Sequence, residues 1–129
     1  HKPANRFVAG FMGNPSMNFF PEAVTQGDDL LLAGHAIRAN GSLPPGRFLL
    51  GVRPEDLRID EDSPLRMQVT LVEPTGGESY VYGRMAGRDL ILRAPGDVPA
   101  RIGDHIAFSF DVRRAHFFDP TTEMRIEVP

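Results

Sequence analysis

LRMQVTLVEPTGGESYVYG, residues 65–83, sets the period of this chain. Leu65, Met67, Val69 and Leu71 alternate with Arg66, Gln68 and Thr70, and a repeat of two marks a strand with one buried face. All four apolar side chains are therefore expected inward. Pro74-Thr75-Gly76-Gly77 is turn chemistry, because consecutive glycines permit positive φ or close approach of another backbone. A second strand carrying Tyr80 and Tyr82 follows, so the stretch reads as a hairpin.

The same period recurs on both sides. Phe48, Leu50 and Val52 alternate with Arg47, Leu49 and Gly51, and Ile106, Phe108, Phe110 and Val112 alternate with Ala107, Ser109, Asp111 and Arg113. MNFFPEAV, LLLAGHAI and DLILRA add weaker runs, with Pro21 marking an edge or a bulge in the first. Turn chemistry recurs at Ala39-Asn40-Gly41-Ser42, Pro44-Pro45-Gly46, Ala86-Gly87-Arg88-Asp89 and Pro95-Gly96-Asp97. Only the opening differs. In NRFVAGFMGNP, Phe7 with Phe11 and Val8 with Met12 fall at helical spacing, Asn5 can cap, and Gly13-Asn14-Pro15 can stop a short helix. The chain is thus expected to be mainly β, a small barrel or sandwich with one short N-terminal helix.

Composition removes several functions. At 129 residues the chain has the size of about one domain. Its formal net charge of −3 lacks the basic excess with which phosphate backbones are bound, so no nucleic-acid partner is expected. Tyr80 and Tyr82 could stack bases on a small barrel, but they stand in no basic groove. With no cysteine there is neither a disulfide nor a thiolate metal site. No apolar run approaches the roughly 20 residues of a membrane helix.

The catalytic templates fail as well. Lys2 is the only lysine, so a phosphate loop of the form GxxxxGK[ST] cannot be written in this chain. GESYV, residues 77–81, begins like a nucleophile elbow but has Val81 where the last glycine is needed. His1, His35, His105 and His116 show no metal-ligand spacing. No catalytic, cofactor-binding or metal residue is assigned. In GVRPEDL, residues 51–57, a strand running into a turn accounts for Gly51 and Pro54, while Glu55 and Asp56 suit a first helical turn. Arg53 stays open between structural pairing and binding of a carboxylate.

Taken in order, PANRFVAGFMGNPSMNFF, GVRPEDL, VTLVEPTGGESYVYG and HFFDP resemble the C-terminal regulatory part of the ATPase subunits of carbohydrate-importing ABC transporters, the maltose and glycerol-3-phosphate type. Residues 51–55 match the pattern G-[IV]-R-P-E, Glu73 to Glu78 match E-x-x-G-x-E, and His116 to Asp119 match H-x-F-[DR]. The resemblance implies a domain of the transport-associated OB type over residues 15–129, with residues 1–14 a connecting helix from a nucleotide-binding domain upstream. It implies a non-catalytic role in regulation and dimerisation, with ATP and Mg confined to that upstream domain and no cofactor in this chain. The implied partners are the same domain of a second ATPase subunit, the membrane permeases through the parent protein, and in some relatives a regulatory protein. The implied location is the cytoplasmic face of the cell membrane.

The interface and regulatory residues implied in this way are Arg53, Glu55, Glu73, Gly76, Gly77, Glu78, His116, Phe118 and Asp119. On this reading IAFSFDVRRAHFFDP, residues 106–120, is one continuous barrel wall, and His116 to Asp119 form the corner where it ends. Phe118 is expected in the core and His116 as a hydrogen-bonding corner residue. An alternative is a sensor of an oxyanion or sugar phosphate, using Arg53 and the amides of Gly76 and Gly77 as an anion nest.

Overall fold

The computed structural model describes residues 17–127; the expected helix at the N-terminus lies outside them. The strands in chain order are β1 (Asn18–Gln26), β2 (Asp29–Leu32), β3 (His35–Arg38), β4 (Arg47–Val52), β5 (Arg58–Ile59), β6 (Arg66–Pro74), β7 (Glu78–Met85), β8 (Arg88–Pro95), β9 (His105–Ser109), β10 (His116–Phe118) and β11 (Arg125–Ile126). Two single turns of 3-10 helix, Pro54–Asp56 and Val112–Arg114, interrupt them. The protein is mainly β, and its curled sheets give OB-like half-barrels.

The chain divides into two compact units. Among the described residues the first holds those up to Arg53 together with those from Asp111 onward, and the second runs from Pro54 to Phe110. The first is built on a sheet of order β11-β10-β4-β1-β2-β3, and the second on a sheet of order β5-β9-β6-β7-β8.

In the first unit β4 lies between β1 and β10 and is buried on both faces. Phe48, Leu50 and Val52 face one side, as their alternation predicts. Leu49 and Gly51 do not face solvent: Leu49 joins a buried group with Met17 and Phe118, and Phe19 packs against it. A central strand covered on both faces needs no polar alternation. Gly51 has the same explanation. It pairs with Phe19 and with His116, and a Cβ there would press on the Met17 sulfur and lie 3.1 Å from Phe118 Cε2. The residue is small because side chains cross it, not because a turn begins there.

Pro21 marks a bulge, since the register between β1 and β4 shifts between Phe20 and Ala23. LLLAGHAI is two strands, not one. Ala33 and Gly34 form a two-residue turn with φ of 50° and 80°, and Leu32 pairs with His35 across it.

In the second unit Met67, Val69, Val81, Leu90, Leu92 and Phe108 are buried. Leu71 is not. The register of β6 against β7 passes from Val69↔Gly83 to Leu71↔Tyr82, so a bulge at Thr70 reverses the phase of the strand. Leu71 turns outward and is 47% exposed.

The wall expected over residues 106–120 is broken. After β9, the Asp111 carboxylate accepts from the Arg113 backbone N–H at 2.9 Å and caps the 3-10 turn Val112–Arg114. Chain direction changes there, so β9 belongs to the second sheet and β10 to the first. The apolar period survives because Phe108, Phe110, Val112, Phe117 and Phe118 are all buried, each in its own unit.

Candidate functional site

The nine residues singled out by the resemblance separate into two groups, one in each unit. Arg53, half-buried, is the last residue of the first unit before Pro54.

In the second unit the hairpin of β6 and β7 sets the geometry. Pro74 pairs with Ser79, the Thr75 backbone N–H donates to the Glu78 carbonyl at 2.9 Å, and Gly76 and Gly77 take φ of 72° and 98°. Only glycine adopts such angles without strain, and no atom would obstruct a Cβ at either position. Backbone conformation therefore dictates both. The Gly77 carbonyl accepts from the Gly96 N–H at 2.8 Å, and Ser79 Oγ donates to the Gly96 carbonyl at 2.9 Å. Ser79 is fully buried. The hydroxyl that opened a nucleophile-like motif is thus a structural tie between β7 and the end of β8.

Register then brings the glutamates of two motifs to one cation. Tyr80 lies opposite Arg93 of β8, and Glu78 Oε2 is 3.5 Å from Arg93 Nε. Arg93 is held in its charged form by its hydrogen bond to Tyr80 and by the charges of Glu55 and Glu78, against some desolvation. Glu55 arrives on the 3-10 turn Pro54–Asp56, which packs against β8 with Pro54 buried. Beside this group the Tyr82 hydroxyl donates to Glu73 Oε1 at 3.3 Å. Burial pushes the Tyr82 phenol up, and the charge of Glu73 adds to the effect.

The arrangement is cationic at one atom group and acidic around it. Two carboxylates, Glu55 and Glu78, act on a single guanidinium, and Glu73 and Glu78 bracket the Gly76-Gly77 turn. An anion at that turn would meet two like charges, which is poor chemistry for an oxyanion nest. All of these side chains reach solvent, so the cluster orients groups more than it stabilises the fold. Among the described residues there is no grouping of His, Asp or Glu suited to a metal ion.

The first unit holds His116, Phe118 and Asp119. HFFDP begins a hairpin: Phe117 pairs with Ile126 and Phe118 with Arg125, across a loop from Asp119 to Met124. Phe117 stacks edge-on against Phe48, with centroids 5.1 Å apart, on one face of the sheet. Phe118 meets Phe19 at 5.9 Å on the other. Phe118 is therefore core, as expected. His116 does hydrogen-bond at this end of the sheet, its Nδ1 lying 2.7 Å from Arg125 Nη1. A guanidinium can only donate, so Nδ1 is the acceptor and carries no proton. Asp119 Oδ1 accepts from the backbone N–H of Thr121 at 2.8 Å and of Thr122 at 2.9 Å. Those donors hold the Asp119 carboxyl below its ordinary range, with Thr122 the larger cause.

Arg93 and Arg125 escaped the reading of the sequence. Arg93 carried a signal, because the phase of DLILRA sets it outward once the hairpin fixes β8 beside β7. Arg125 carried none, since a six-residue hairpin loop separates it from the strand it serves.

Residues 50–118, more than half of the chain, match the TOBE domain family. The chain is 39% identical over 97% of its length to an sn-glycerol-3-phosphate import ATP-binding protein, UgpC, of Ruegeria pomeroyi, and 40% identical over 97% to the UgpC of Cereibacter sphaeroides. It is 31% identical over 96% of its length to the oligosaccharides import ATP-binding protein MsmX of Bacillus subtilis. The chain spans 36%, 36% and 38% of the lengths of these relatives. Two mainly β units, a matched segment that includes the first two motifs and His116 to Phe118 of the third, and relatives of this kind place the chain in the TOBE domain family.

Proposed function

We propose that this chain is the non-catalytic regulatory and self-pairing portion of the ATP-binding subunit of an ABC importer for sugars or sugar-like solutes. The observation that carries the reading is the similarity, across 96–97% of the chain, to import ATP-binding proteins whose named solutes differ, glycerol phosphate in some and oligosaccharides in another. A segment shared across different solutes serves the ATP-binding subunit and does not select the solute. With Lys2 the only lysine, no phosphate loop can form within the chain, so ATP and Mg belong to a nucleotide-binding domain elsewhere in such a subunit.

On this reading the domain holds two ATPase subunits together while their nucleotide-binding domains open and close. Covalent attachment raises the effective concentration of an otherwise weak contact. The permeases are partners through the parent subunit, a regulatory protein is a further partner in the same setting, and the location is the cytoplasmic face of the membrane. No helix among the described residues is long and apolar enough to cross a bilayer.

The test joins the chain to a nucleotide-binding domain of this kind and follows assembly by sedimentation, beside ATP hydrolysis with and without the chain. The expected result is a dimer favoured by the chain, and hydrolysis that resides in the nucleotide-binding domain. A fusion that stays strictly monomeric would refute the self-pairing role.

A further inference from the structure

Across the bulge at Thr70, the outer side of β6, β7 and β8 presents three rows of three residues. Register sets Glu73, Tyr80 and Arg93 in one row, Leu71, Tyr82 and Ile91 in the next, and Gln68, Arg84 and Asp89 in the third. The middle row is apolar, and both outer rows are polar. Leu71 is 47% exposed, while Tyr82 and Ile91 are half-buried. An apolar row between charged rows on a sheet face is the composition of a docking surface rather than of a solvated strand.

We propose that this face receives a second copy of the chain, stacked face to face about a two-fold axis that runs across the strands above the Leu71-Tyr82-Ile91 row. The inference rests on the self-pairing reading above and supplies its surface. Charge placement selects both the occupant and the axis. A two-fold across the strands leaves each strand over its own copy and exchanges the outer rows. Arg93 then faces the second copy's Asp89, Tyr80 faces the second copy's Arg84, and Glu73 faces the second copy's Gln68. Those are an ion pair, a cation over an aromatic ring and a neutral partner for a carboxylate, with no like charges opposed. In the middle row each apolar residue meets itself, as an isologous contact requires.

A two-fold along the strands is worse, because it sets Arg84 against the second copy's Arg84. The intramolecular contacts do not forbid the first arrangement. Arg84 Nη1 already lies 2.7 Å from Asp89 Oδ1, so that carboxylate accepts from its own Arg84 and from the incoming Arg93 through separate lone pairs. Nine residues a side are well below the roughly 20–30 of a standard interface, so the contact is weak in isolation. That suits two domains already held near one another.

Disulfide trapping tests the register directly, because the chain has no cysteine of its own. Leu71→Cys and Ile91→Cys are each expected to cross-link to themselves. Ile102→Cys, at a 73% exposed position on the turn beside β6 but outside the three rows, is expected not to. Sedimentation of the 129-residue chain up to about 1 mM should show reversible dimers. Leu71→Asp should abolish them, and Asp89→Arg should weaken them by about tenfold, both with unchanged circular dichroism. Cross-links that form only in a mixture of the Leu71→Cys and Ile91→Cys chains would overturn the axis. Dimers insensitive to Leu71→Asp and without either self-cross-link would overturn the face while leaving the self-pairing reading intact. A chain that stays monomeric and forms neither self-cross-link would overturn this face, while the fusion decides the self-pairing reading.

Discussion

Gly83→Ala is the most informative single substitution in this protein. Gly83 sits within β7, paired with Val69 and Leu90, and a Cβ there would lie 2.8 Å from the Gln68 carbonyl oxygen and 3.2 Å from both Cγ and Cε of Met67. The Gln68 oxygen is backbone of a paired strand, so it cannot rotate away, and Met67 is fully buried. The added methyl must push β6 from β7, and overpacking of this kind costs about 1–3 kcal/mol. We expect the upper half of that range because the nearest obstacle is main chain. At about 4–8 °C per kcal/mol for a domain of this size, the melting transition should fall by roughly 10–20 °C. Gly51→Ala is the internal control. There the nearest obstacle is the Met17 thioether, the far end of a flexible side chain, although Phe118 Cε2 at 3.1 Å has less freedom. Its cost should be about half as large. Urea and thermal unfolding followed by far-ultraviolet dichroism measure both, with separate transitions fitted if the two units melt apart. A Gly83→Ala protein within about 0.5 kcal/mol of the parent would refute the claim that backbone proximity dictates glycine there.

Four further outcomes are expected. Ala33 and Ala86 occupy the first central position of two-residue turns with φ of 50°, each followed by a glycine, so Ala33→Asn or Ala86→Asn should raise stability by roughly 0.5–1 kcal/mol in thermal melts. Phe118→Ala should cost about 3–5 kcal/mol, because Phe118 is fully buried between β4 and Phe19; a loss below about 1 kcal/mol would contradict its core placement. Asp119 has a folded pKa below its unfolded value, so its contribution is complete above the ordinary carboxylate range near pH 4 and fades as pH falls through the lower folded value. Asp119→Asn should therefore flatten the acid limb of the stability profile, and an unchanged limb would dismiss the turn hydrogen bonds as its cause. Ser79→Ala should destabilise by about 0.5–1.5 kcal/mol through loss of the hydrogen bond to the Gly96 carbonyl, and unchanged melting would show that the tie is dispensable.

Much of the fold could be read from residues 65–83 and their counterparts, because a half-buried strand writes its period into the sequence. What could not be read are the places where phase breaks without leaving a residue type behind. The bulge at Thr70 adds one residue to β6 and turns Leu71 from core to surface, yet threonine in a strand announces nothing. The bulge in β1 was readable because proline lacks the ladder N–H. Asp111 misled in the opposite direction. It sat at an outward position of a convincing alternation, and its role as cap of the Val112–Arg114 turn depends on a hydrogen bond to the Arg113 N–H that no period records.

The candidate site shows the same division between identity and arrangement. Glu55 and Glu78 come from separate motifs, and resemblance alone could mark each without saying what either holds. Their common object, Arg93, belongs to no motif and stood in a run set down only as a weaker strand. Hairpin register places it opposite Tyr80, and the 3-10 turn after Arg53 delivers Glu55 to the same guanidinium. Glu78 pairs with that cation from within the hairpin, and the charge of Glu55 reaches it from the turn at the start of the second unit. The residue that makes two motifs into one site is therefore found through strand pairing, and the motifs themselves only tell where to look for it.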